Sequence, residues 1–242
     1  MDKRSKKSNW FTNMNTSGII SLLAVMLTGS ALLSAQEVVQ PNYGMKSPAT
    51  AEVVRVKITE TQTLVDMSIQ NEISDGYFCI DEDTYLEYGK DVRMRLKEVR
   101  GLPLCPEIYE FSTVGEKVYF TLVFDKLPEG TPWFDIIEYC GTGCLSVLSL
   151  TMDKEINTKT DAAYNALDRA DPGRAMDIFS ELLPLLRSSK HGLTGSVYLS
   201  LAELLDANKR VEELQELLSG FESTPMPHKE KYRTILRDMG YL

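Results

Sequence analysis

Residues 138–152 read EYCGTGCLSVLSLTM, and the reading of this stretch decides the fold. If Cys140 and Cys144 opened a helix, its N-terminal dipole and amides would stabilise a thiolate and suggest a redox enzyme. The residues from Cys144 onward, CLSVLSLTM, are instead alternating and β-branched, the pattern of a strand. Gly-Thr-Gly is a good three-residue hairpin loop, because glycine supplies the positive φ that such turns need. Residues flanking such a loop face each other at about 4.5–5.5 Å, within reach of a disulfide. The stretch therefore reads as a stapled β-hairpin, with thiol–disulfide chemistry by Cys140 and Cys144 as the alternative.

Upstream the same two-residue period recurs. Val54, Val56 and Ile58 alternate with Arg55, Lys57 and Thr59, and Val65, Met67 and Ile69 with Asp66, Ser68 and Gln70. Val92, Met94 and Leu96 repeat the pattern, as do Val118, Phe120, Leu122 and Phe124. Turn signals separate these runs, among them Ser74-Asp75-Gly76, Tyr88-Gly89-Lys90 and Pro128-Glu129-Gly130. Short strands with no helix between them predict an immunoglobulin-like antiparallel β-sandwich over 51–152.

Downstream the period changes to that of a helix. Asp171-Pro172 offers an N-cap and a first-turn proline, after which Ala175, Ile178, Phe179, Leu182 and Leu183 mark one face. Pro184 is expected to kink or end that helix. Further apolar faces lie at Val197–Leu205 and Val211–Leu218, and a last helix is expected from about His228. The overall expectation is an α+β chain of two modules, with 153–242 forming an α-helical hairpin repeat or a small helical bundle. Arg174-Ala175 opening RAMDIFSELL lines up with Arg210-Val211 opening RVEELQELL, a spacing that resembles tetratricopeptide repeats, which place a small residue and an aromatic four apart, here Ala175 and Phe179.

The sandwich segment also resembles a known domain. The order TYLEYGKDVRMRL (Thr84 to Leu96), GLPLCP (Gly101 to Pro106), KVYFTLVFDKLP (Lys117 to Pro128) and WFDIIE (Trp133 to Glu138) is similar to an N-terminal β domain of secreted envelope proteins. In those proteins it commonly precedes a thioredoxin-like disulfide reductase. After Met152 this chain departs from that pattern, with no Cys-x-x-Cys at a helix start, so the resemblance implies export and an accessory sandwich rather than a reductase.

Composition points the same way. Of the 242 residues 43% are hydrophobic, enough for a packed globular chain. Lys3, Arg4, Lys6 and Lys7 precede the apolar run from Gly18 to Ala35, a signal-peptide pattern with cleavage expected after Ala35 and an uncleaved anchor as the alternative. Residues 36–50, rich in Pro, Gly, Asn and Ser, read as a linker. The net charge of −9 becomes more negative once the basic leader is removed, so nucleic acid and anionic lipid are repelled and stable membrane insertion is not expected. The four cysteines, Cys79, Cys105, Cys140 and Cys144, all lie in the exported part and are disulfide candidates.

Catalytic and metal motifs are weak. Asp81, Glu82, Asp83, Glu87 and Asp91 lack calcium-loop spacing and read as solvated turns. Asp135 and Glu138, three apart in a strand, should point to opposite faces rather than share a pocket. His191 and His228 sit near helix boundaries, where solvated or capping histidine is usual. No cofactor and no metal are expected. The expected function is a non-catalytic interaction module for an unidentified envelope protein or peptide, with Tyr164, Tyr198 and Trp133 as candidate contact residues. Sugar stacking on Trp133 and neighbouring tyrosines is the remaining alternative.

Overall fold

The computed structural model describes residues 36–139 and 144–242, which fall in one compact unit. A β module is followed by a helical one. The strands are β1 (Gln36–Val39), β2 (Met45–Ser47), β3 (Ala51–Ile58), β4 (Gln62–Gln70), β5 (Tyr77–Phe78) and β6 (Tyr85–Tyr88). Then come β7 (Val92–Arg95), β8 (Glu98–Arg100), β9 (Tyr109–Glu110), β10 (Lys117–Asp125), β11 (Trp133–Ile137) and β12 (Ser146–Thr151). The helices are α1 (Lys154–Asp168), α2 (Pro172–Ser189), α3 (Thr194–Ala207), α4 (Val211–Ser223) and α5 (Lys229–Asp238).

Two five-stranded antiparallel sheets, ordered β1-β3-β4-β10-β8 and β2-β12-β11-β6-β7, enclose one core. The strands β3-β4-β10-β8 take the places of A-B-E-D in an immunoglobulin sandwich, and β12-β11-β6-β7 those of G-F-C-C′. Met67, Leu122 and Phe124 of one sheet meet Leu86, Phe134 and Leu150 of the other, all buried. The segment 36–50, expected as a linker, instead supplies β1 and β2, one edge strand for each sheet. Pro41 and Gly44 sit at the crossing between them, and Glu37, Gln40 and Ser47 stay exposed because both strands lie on edges.

The helices pack in chain order, α1 on α2, α2 on α3 and α3 on α4, with α5 returning to α3. Asp171 caps α2 as expected, its Oδ1 accepting the Arg174 N–H at 3.0 Å. Pro184 does not end α2, which runs on to Ser189. The proline takes away only the N–H that Ser180 C=O would accept, and burial of Leu182, Leu183 and Leu186 carries the helix past it. Among the described residues no helix is long and apolar enough to cross a membrane.

Candidate functional site

The functional geometry starts where strands hand over to helices. Opposite Asp135, β12 carries an extra residue, because the register shifts between Phe134 and Ile136. This bulge puts Ser149 at φ +62°, turning its N–H out of the ladder and onto Asp135 Oδ1 at 2.6 Å. Asp135 Oδ2 lies 2.9 Å from His228 Nε2, at the start of α5, within ion-pair distance although not in hydrogen-bond geometry. Serine, histidine and aspartate thus converge, yet they form no nucleophile relay. The aspartate holds a backbone N–H, and Ser149 Oγ is sealed from solvent with no hydrogen-bond partner among the described residues. The trio joins the two modules. Glycines permit the approach: a Cβ on Gly192 would fall 2.5 Å from Ser149 Cβ, and one on Gly195 2.1 Å from the Tyr232 ring.

Two further contacts complete the joint. His191, buried in the α2–α3 turn, accepts the Leu193 N–H on Nδ1, which leaves Nε2 to donate to Thr151 Oγ1 at 3.2 Å. Burial lowers its pKa from 6.5 to about 4, so the ring is neutral at pH 7. Asn157 of α1 accepts the Asn42 N–H at 2.8 Å and donates to Thr151 O at 3.0 Å. Met45 of β2 packs on the helical core. The histidines expected to be solvated or capping therefore serve as links between modules, a role visible only once β11 and β12 are brought beside the helices.

Carried by this joint, α3 floors a groove of about 530 Å³ whose walls are α2 and α4. Tyr198, Leu201 and Leu205 form the floor, and Leu217 of α4 is half-buried on one wall. Asp177, Arg187 and Glu216 stand on the rim, where Arg210 is clamped by Glu213. Ser180 and Pro184 both line the groove. Opposite, Gly220 packs close to Tyr198 Oη, which a Cβ there would meet at 3.3 Å.

A second cleft, of about 650 Å³, lies where Gln40–Gly44, the outer face of β4 and β10, and α1 meet. Tyr119 and Tyr164 line it.

The three expected contact residues thus stand in three places. Tyr198 is buried in the groove floor, its ring edge-on to Phe221 at 5.4 Å and its hydroxyl 3.0 Å from Thr224 Oγ1. Tyr164 is half-exposed on the second cleft, resting on Phe179. Trp133 is tilted against His191 at the joint.

Of the disulfide candidates, Cys79 and Cys105 are bonded, with Cα atoms 5.3 Å apart. Cys144 is also in a disulfide. Cys140 lies outside the described residues, as does the expected leader. Glu138, near Asp135 in sequence, points elsewhere: it accepts the Asp81 and Leu145 N–H groups at 2.7 and 2.6 Å, and burial raises its pKa. In the acidic run, Asp83 pairs with Arg95 and Glu87 with Arg93. Among the described residues no three His, Cys, Asp or Glu side chains are grouped to hold a metal ion. No protein-family model matches the chain, and neither a curated protein nor a solved structure matches it.

Proposed function

We propose that this is an exported, non-catalytic interaction module whose helical groove takes a segment of a partner protein in the cell envelope, with the sandwich as its mount. The observation that carries the reading is the groove over α3. Its apolar floor and mixed-charge rim suit a peptide that offers both apolar and charged side chains. Export and the likeness of the sandwich to the N-terminal domain of secreted envelope proteins rest on the leader pattern and the quoted motifs. The helix faces spaced like tetratricopeptide repeats belong to the same reading.

Gly220→Arg puts a long charged side chain into the groove from α4. Affinity capture from envelope extract with the mature chain is expected to recover a partner that Gly220→Arg and Leu217→Glu both lose. A partner retained by both variants, or none recovered, excludes the groove.

A second reading, sugar binding, is favoured by the tyrosine-lined cleft beside β10 rather than by Trp133, which is engaged at the joint. Tyr119→Ala should then abolish glycan-array binding, whereas an array with no hits removes this reading. Thiol chemistry at Cys140 and Cys144 would require that the pair react with an alkylating agent under mild reductant while the fold is intact.

A further inference from the structure

One end of the sandwich exposes several large apolar side chains. The connection from β4 to β6, which contains β5, and that from β8 to β10, which contains β9, meet there and are woven together. Asn71 Nδ2 donates to both Ile73 O and Thr113 O at 2.9 Å, Tyr77 pairs with Glu110 across β5 and β9, and Cys79–Cys105 bonds one connection to the other. Glu138 ties the end of β11 to the same place through Asp81. The backbone here is therefore held on a rigid frame, as binding loops are.

That frame displays Ile73, Tyr77, Leu104, Ile108 and Val114, each at least 42% exposed. Isolated exposed apolar residues are ordinary, but several gathered on braced loops mark a contact surface. Within these loops the charges are of one sign. Residues 71–84 and 101–116 contain no lysine or arginine, and Glu72, Asp75, Glu82, Asp83, Glu107 and Glu110 are all exposed. Arg95 reaches Asp83 at the rim from β7, and Glu116 is spent on Tyr109 Oη and the Ser112 N–H. The other carboxylates of this end meet no cation among the described residues.

We propose that this loop end docks a basic amphipathic segment of a partner protein, one in which lysine or arginine alternates with aliphatic or aromatic residues. The apolar side chains supply the area and the surrounding carboxylates select the sign of the partner. An anionic bilayer is repelled, and a second copy of this chain would bring like charge to like. The surface lies in the sandwich and is distinct from the groove over α3.

The test uses the full mature chain and a fluorescent helical peptide built of leucine and lysine. Three comparison probes accompany it: a leucine–glutamate peptide, an oligolysine and anionic vesicles. The leucine–lysine peptide should bind, with affinity falling as salt rises, and the other three should not. Ile108→Ser, and separately Glu107→Lys with Glu110→Lys, should weaken binding about tenfold or more, as loss of an anchor or of charge complementarity does. Glu60→Lys with Glu129→Lys, an equal charge change at exposed sites elsewhere, and Gly220→Arg should leave it unchanged. Oligolysine binding as tightly as the amphipathic peptide would overturn the proposal, as would vesicle binding or indifference to the loop substitutions. Concentration-dependent dimerisation lost on Ile108→Ser would assign the surface to a second copy instead and overturn it equally.

Discussion

The sandwich and the helical stack keep separate cores, and they are closed in different ways. The sandwich covers both inner faces with its own sheets and braces its loop end with Cys79–Cys105. The helical stack has no such brace among its described residues. Its fourth helix, α4, buries only Phe221 completely, and its inner side rests on the sandwich through Asp135–His228, Thr151–His191 and Asn42–Asn157. A module that is closed on itself can serve as a mount. One that leans on its neighbour can leave a groove open, because its stability comes partly from the joint.

This contrast can be broken at the joint. Asp135→Ala leaves the buried Ser149 N–H unpaired and takes the partner from His228, and should cost about 4 kcal/mol. The denaturant midpoint should drop for helical and sheet signals together. Removing the disulfide with Cys79→Ser and Cys105→Ser should cost about 3.5 kcal/mol by loop-entropy reasoning. The loss should appear in the same single transition although the bond lies within the sandwich.

Acid should loosen the joint through His191. Its ring titrates at about 4 in the folded chain and near 6.5 when unfolded. Between those values the unfolded state holds more protons, so stability is complete above about pH 6.5 and falls as the pH drops toward 4. The full effect is about 3 kcal/mol. Equilibrium unfolding of the wild type and of His191→Gln from pH 7 to 4 checks this, since the variant should lose that part of the slope. The smallest effect is expected for Asn157→Ala, about 2 kcal/mol, read from the same midpoints.

How far the fold was legible depends on the same contrast. Strands β4 and β10 could be read directly, because Val65, Met67 and Ile69 and their partners Leu122, Phe120 and Val118 keep an unbroken alternation against one core. Strand β3 could be read in part: Val56 and Ile58 are buried as their alternation has it, but the bulge between Val53 and Arg55 changes the phase before them, so Val53 rather than Val54 is buried. Edge strands β1 and β2 carry too little apolar contrast to stand out from a linker. The joint was hidden for a further reason. Asp135, Ser149, His191 and His228 come from distant segments, and only the docking of helices on β12 gives their burial a purpose. A positive φ at a serine has no sequence signature, and the nearby glycines Gly44, Gly192 and Gly195 become informative only when their neighbours Ser149 and Tyr232 are seen. The groove was half legible: its helix faces were, whereas the continuation of α2 through Pro184, which lines one wall, was not.

The central claim is that the sandwich holds the open helical groove as part of one cooperative body. Native-state hydrogen exchange on the full chain tests it most directly, by comparing the opening free energies of amides in α3 with those in β4 and β10. The account predicts that the most protected amides of α3 open at the same free energy as those of the sheet, and that Asp135→Ala lowers both. If α3 exchanged several kcal/mol more easily than the sheet and ignored Asp135→Ala, the helices would be an independent unit and the mount would carry nothing.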